Sequence, residues 1–156
     1  LICTIFIILL IIFFIDLKHY IIPDSLNFSL ILIGIIKNFT TQDFLKLNYN
    51  LPDSLFGGTL GYLTIWLIIF IFKRIRNKEG MGLGDAKLLS AIGFWFGWIS
   101  IPFILFFSSF VALIFAVPGL LNKSKNMSSQ IPFGPYIILG CVLYLLLLEQ
   151  IIKYLN

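Results

Sequence analysis

Two aspartates stand where charge is expensive. Asp16 follows an unbroken apolar run, Leu1 to Ile15, and Asp85 closes the stretch Gly80-Met81-Gly82-Leu83-Gly84-Asp85, just ahead of another apolar run. An ionised carboxylate at the centre of a membrane helix costs about 2.5–3.5 kcal/mol on insertion scales, so both residues ask for a chemical reason. Two carboxylates that meet cannot both ionise cheaply, and the pair shares a proton. One can then take a proton from water while the other protonates or polarises a peptide carbonyl. That chemistry is aspartyl proteolysis. It requires no metal, no cofactor and no Ser or Cys nucleophile.

The neighbouring residues bear on that reading. A negative charge at the end of the first helix opposes the helix dipole, so Asp16 calls for a function or for a partner such as Lys87. Lys87, two residues past Asp85, is also placed to tune the pair electrostatically. Pro23 forces Ile22 out of helical geometry and marks a connection. Asp24 then precedes the second helix, where it suits an N-cap. Gly82 and Gly84 remove Cβ at alternate positions, so a second chain can reach Asp85. The pattern lacks the GxxxxGK[ST] of a phosphate-binding loop. Pro132 and Gly134, in Gln130-Ile131-Pro132-Phe133-Gly134-Pro135-Tyr136, make a stiff stretch that either opens the last helix or lines the site. His19 is the only histidine and receives no role. Cys3 and Cys141 form neither a CxxC pair nor a zinc spacing and read as buried thiols. No metal site is expected.

The elements that must position these residues follow from composition. The chain has 156 residues, of which 60% are hydrophobic and only 12% charged. An ordinary soluble domain is about a quarter charged, so the class is an all-α polytopic membrane protein. Apolar runs predict six transmembrane helices, near Leu1–Ile15, Leu26–Ile36, Leu55–Phe72, Leu88–Ser100, Ile101–Leu121 and Tyr136–Ile152. Ser100 and Pro102 leave only a tight turn between the fourth and fifth, with Pro102 in the first turn of the fifth. The whole chain, 1–156, reads as one transmembrane domain. The first run is too short to span and lacks the flanks of a signal peptide, so residues ahead of Leu1 are expected.

Charge orients the helices. Lys18, Lys73, Arg74, Arg76, Lys78, Lys87, Lys123 and Lys125 fall on one side of this arrangement, and Lys37, Lys46 and Lys153 on the other. The positive-inside rule places the first group in the cytoplasm. The net charge of +4 therefore expresses topology, with the basic run Lys73–Lys78 facing lipid headgroups, and no nucleic-acid partner is expected. Asp16 and Asp85 then lie at similar depth on the same, cytoplasmic, face.

The residues resemble a family. Asn77 to Trp98, NKEGMGLGDAKLLSAIGFWFGW, looks like the core motif of the bacterial type IV prepilin peptidases, membrane aspartyl proteases of the GxGD class. FIDLKHYIIPDSLN resembles their first motif, an Asp followed eight residues later by the Asp of a Leu/Ile-Pro-Asp step. IPFGPY and GGTLGYLTIWLIIFIFK match further stretches, in the family's order. The resemblance implies that Asp16 and Asp85 are the catalytic pair. It implies that the substrates are type IV prepilins or pseudopilins, of pilus or type II secretion systems, cut at the cytoplasmic face of the inner membrane. The resemblance gives no cofactor. Members often carry an N-terminal segment with paired CxxC motifs, associated with methylation of the new N-terminus. That segment is absent from these residues, which correspond to the peptidase portion. Lys18 stands where many members have a second acid, and Asn27 where Thr is common.

Two other readings compete. A small transporter or channel would use Asp16 and Asp85 as ion or proton sites, but should carry polar residues along its helices. An assembly protein would use the glycines for helix packing and leave both aspartates unexplained. Oligomeric state is left open by the sequence.

Overall fold

The structure, a computed structural model, describes residues 2–39, 50–76, 81–121 and 132–155. Gly80, Lys46, Lys78, Lys123, Lys125, Gln130 and Ile131 lie outside the described residues. Every regular element among the described residues is helical: α1 (Ile2–His19), α2 (Asp24–Lys37), α3 (Leu51–Arg76), α4 (Leu83–Leu121) and α5 (Gly134–Leu155). Two of them, α3 over Leu51–Ile75 and α4 over Leu83–Phe115, hold spans long and apolar enough to cross a membrane. Large apolar side chains cover the outer faces, among them Ile7 and Leu10 on α1, Leu63 and Phe70 on α3, and Phe106 and Phe110 on α4. Such a surface suits lipid rather than water.

The predicted fourth and fifth helices are one element broken inside. Gly97 has φ 71° and ψ 178°, a conformation essentially restricted to glycine. The break thus comes before the predicted Ser100–Pro102 turn. Ser100 lies within the second half and donates to the Gly97 carbonyl at 2.7 Å. Pro102 sits past the first turn of that half rather than at its start.

The break reverses the chain. Gly84, near the start of α4, packs on Ile22, which also reaches Gly134 at the start of α5. Phe115, far along α4, meets Tyr136, again at the start of α5. A straight helix of 39 residues would separate its ends by about 58 Å, so α4 must fold back at Gly97.

The first half of α4 is the centre of the molecule. It is buried on nearly every side, packed by α2 and α3. Its contact with α3 is set by glycines. A Cβ at Gly57 would strike the Gly93 carbonyl, one at Gly93 would strike the Gly57 carbonyl, and one at Gly61 would lie 2.7 Å from the Leu89 carbonyl. Two backbones this close gain dispersion and can bring no side chain between them, as in small-xxx-small helix pairs. On the other side, α2 runs parallel to this half: Asp24 meets Lys87, and Leu30 accepts from Trp95 Nε1 at 2.9 Å. At the far end Lys37 Nζ donates to the Trp95 carbonyl at 2.7 Å. That carbonyl belongs to the last turn before the break, where helical partners run out. The second half of α4 pairs with α5, Phe103 stacking on Tyr144.

α1 presents Ile5, Leu9 and Ile12 to the interior and packs mainly on α5. Cys141 is buried in α5 as expected, whereas Cys3 on α1 is exposed among lipid-facing side chains.

Candidate active site

One end of the bundle collects the C-terminus of α1 and the N-termini of α2, α4 and α5. Asp16 arrives there because it continues the buried stripe of Ile5, Leu9 and Ile12 at helical spacing. It is 4% exposed. α1 runs on to His19 and is stopped by Tyr20, a non-glycine residue with φ 57°, whose N–H bonds the Asp16 carbonyl at 2.9 Å. The stop carries the backbone directly back toward Ile22 and Pro23.

A carboxylate at the end of its own helix is unfavourable, and α5 supplies the compensation. Gly134 begins α5 and lies directly against the Asp16 carboxylate. The positive end of the α5 dipole therefore faces the negative charge. A Cβ at Gly134 would fall 2.5 Å from Asp16 Oδ2 and 2.9 Å from Ile22 Cδ1, so only glycine admits this approach. The expectation that Lys87 partners Asp16 is not met. Pro132 and Phe133 lead into the turn, and the Phe133 carbonyl accepts from the N–H groups of Tyr136 and Ile137. The stretch thus opens α5, with Gly134 set against Asp16 and Ile22.

Asp85 is built differently. It is the third residue of α4, 7% exposed, and its Oδ2 accepts from the Gly82 N–H at 3.2 Å. This is the reach-back bond of a capping box, made by an Asp. The charge again sits at a helix N-terminus. Ile22 links the two acids, touching Gly84 beside Asp85 and Gly134 beside Asp16. Thus both acids converge at one end of the bundle, each at the positive end of a helix.

The two glycines before Asp85 serve different ends. A Cβ at Gly84 would lie 3.1 Å from Ile22 Cβ, whereas one at Gly82 would meet nothing closer than 3.8 Å. Neither has a positive φ; among the described glycines only Gly97 does. Asp24 is not an N-cap. Pro23 occupies that position without a side-chain hydrogen bond, and Asp24 is the first residue of α2. Its carboxylate instead receives Lys87 Nζ at 2.6 Å, tying α2 to α4 at the exposed rim of the site.

Two residues escaped the sequence reading. Ile22 wedges between Gly84 and Gly134, spacing the starts of α4 and α5. The Ile21-Ile22 pair directly before Pro23, apolar in a short connection, was the available signal. Asn27, one turn into α2, is 1% exposed, and neither of its amide atoms has a hydrogen-bond partner among the described residues. An isolated Asn in an apolar helix carried no such information.

Comparison with known proteins gives the chain a family. The chain is 38% identical over 141 residues to a prepilin leader peptidase/N-methyltransferase of Aeromonas salmonicida, covering 90% of this chain and 47% of that protein. It is 38% identical over 139 residues to the protein of the same name in Pseudomonas aeruginosa, covering 89% and 46%. A Xanthomonas campestris protein of that name is 36% identical over 133 residues, covering 83% and 44%. The chain spans about half the length of these curated relatives. No solved structure matches it. The type IV leader peptidase family model, Peptidase_A24, matches residues 3–117, which contain Asp16, Asp24, Asp85 and Lys87, and the chain therefore belongs to the type IV leader peptidase family.

Proposed function

We propose that this chain is an aspartic endopeptidase that removes the leader peptide of type IV prepilins or pseudopilins, with Asp16 and Asp85 as its catalytic pair. The observation that carries the reading is that two buried acids from segments far apart in the sequence, each at the positive end of a helix, flank the same side chain, Ile22. One carboxylate, ionised, takes a proton from a water molecule as its oxygen attacks the scissile carbonyl. The other, protonated, gives its proton to the carbonyl oxygen. Collapse of the tetrahedral intermediate then returns a proton to the leaving amine, and the pair again shares one proton. The α4 and α5 dipoles stabilise the charge that remains. Gly82, where a Cβ would meet only its own loop and nothing closer than 3.8 Å, and the stiff Pro132–Gly134 stretch would border an extended substrate backbone.

The same reading gives the chain six crossings of the inner membrane, the two halves of α4 each making one. The reversal at Gly97 supports this, because a straight 39-residue helix far exceeds a hydrocarbon core of about 30 Å. The catalytic end faces the cytoplasm, as the distribution of Lys and Arg requires.

The test is leader cleavage by membranes containing Asp16→Asn or Asp85→Asn. Each variant is expected to lose at least about 100-fold in rate, the usual scale of a general acid or base, while still inserting and unfolding near the parent temperature. Cleavage at the parental rate by either folded variant would falsify the assignment.

A further inference from the structure

The side chain of Ile22 packs on both glycines that adjoin the acids. A Cβ at Gly84, the residue before Asp85, would lie 3.1 Å from Ile22 Cβ and 3.6 Å from its Cγ1 and Cδ1. A Cβ at Gly134 would lie 2.9 Å from the same Cδ1 and 2.5 Å from Asp16 Oδ2. The side chain therefore stands with its base against Gly84 and its δ-methyl at the place where Gly134 meets the Asp16 carboxylate. It is buried.

Its mounting is stiff. Tyr20, with φ 57°, ends α1 just ahead of it. Pro23 follows, with φ −64° and ψ 128°, and a residue before proline is confined to extended backbone. Asp24 then anchors the chain to α4 through Lys87 at 2.6 Å. A β-branched side chain on such a backbone has few χ1 choices, so it cannot readily swing aside. Two acids that act together on one water need a fixed separation, since a misplacement of about 1 Å can cost about 100-fold in rate.

We infer that Ile22 is a positioning residue of the proposed cleavage, its δ-methyl the spacer that keeps Gly134 and Asp16 from settling onto Gly84 and Asp85. The inference rests on the proteolytic reading above. The property used is reach: a carbon at the δ position holds the starts of α4 and α5 apart.

The experiment compares three variants with the parent, in membrane-embedded protein, for leader-cleavage kinetics and thermal unfolding. Ile22→Val removes the δ-methyl. Ile22→Leu keeps a carbon at that distance. Ile104→Val takes the same methyl from a fully buried side chain of α4, in the half that packs on Gly140 of α5. The two valine variants should lower the unfolding temperature by similar amounts, the effect of one methyl lost from a packed interior. Ile22→Val is expected to lose at least about 10-fold in kcat with KM unchanged, because alignment of the acids rather than binding is disturbed. Ile22→Leu should stay within about threefold of the parental kcat, as a volume-conserving exchange that restores the reach. Ile104→Val should cleave at the parental rate. Parental kcat in Ile22→Val overturns the inference. So does a loss expressed through KM, an equal loss in Ile104→Val, or a kcat in Ile22→Leu as low as in Ile22→Val. Failure of Ile22→Val to fold also overturns it, since the methyl would then be a requirement of assembly rather than of spacing. Asp16→Asn and Asp85→Asn run alongside: if they cleave normally the proteolytic reading fails, and if they are inactive while Ile22→Val is normal only the present inference fails.

Discussion

Asp16 and Asp85 are stabilised in unlike ways, and single substitutions should expose the difference. Asp85 caps its own helix through the Gly82 N–H, so its removal also withdraws a local bond. A lost cap costs about 0.5–2 kcal/mol, and Asp85→Ala should lower the unfolding free energy by that amount besides abolishing cleavage. Asp16 depends on another helix. Gly134→Ala would set a methyl 2.5 Å from its carboxylate oxygen, and α5 would have to withdraw. We expect cleavage to fall at least 10-fold, with the protein still assembled, as read by leader processing against thermal unfolding. At the rim, Lys87→Glu opposes two like charges across α2 and α4 where Asp24 now pairs. The double exchange Asp24→Lys with Lys87→Glu should restore the stability lost, by up to about 1 kcal/mol for so exposed a pair.

At the scale of elements, α4 decides the architecture. A Cβ at Gly97 would be strained by about 1–3 kcal/mol in a backbone of φ 71° and ψ 178°. Gly97→Ala is therefore expected to reduce the folded fraction, seen as loss of the monodisperse species in detergent. Lys37 supports the break by holding the Trp95 carbonyl, with its ammonium 5.9 Å from the Trp95 ring centroid. Lys37→Met should cost about 1.5–3 kcal/mol in thermal unfolding, the scale of a hydrogen bond to a charged group. The predicted turn at Ser100–Pro102 was close to this break for a sound reason: proline and serine commonly mark helix starts. The residue that turns the chain is instead a glycine, because only the actual backbone angles reveal which of several nearby glycines carries a conformation closed to other residues.

For the whole molecule, the assembly of four helix ends on one face makes a topological statement that labelling can check. With Cys3 and Cys141 replaced, a cysteine introduced at the exposed Tyr20 should react with an impermeant maleimide only from the cytoplasmic side. A cysteine at the exposed Phe39, beyond the opposite end of α2, should react only from the other side. Reaction of both from one side would reverse the proposed crossings.

Composition alone determined that the chain is helical and meant for lipid, and Asp16, Asp85 and Gly134 were visible as residues out of keeping with their surroundings. Helix existence was legible because a long apolar run has few other ways to satisfy its backbone in a membrane. Which side of each helix faces inward was not. Lipid and protein interior are equally apolar, so Ile5, Leu9 and Ile12 read the same as Ile7 and Leu10. Only the tertiary structure decided that Asp16 continues the inward stripe, that Lys87 serves Asp24 rather than Asp16, and that Ile22 belongs near the acids. Those assignments depend on the close glycine contacts of α3 with α4 and on the reversal at Gly97, where packing geometry rather than hydrophobicity selects the partner.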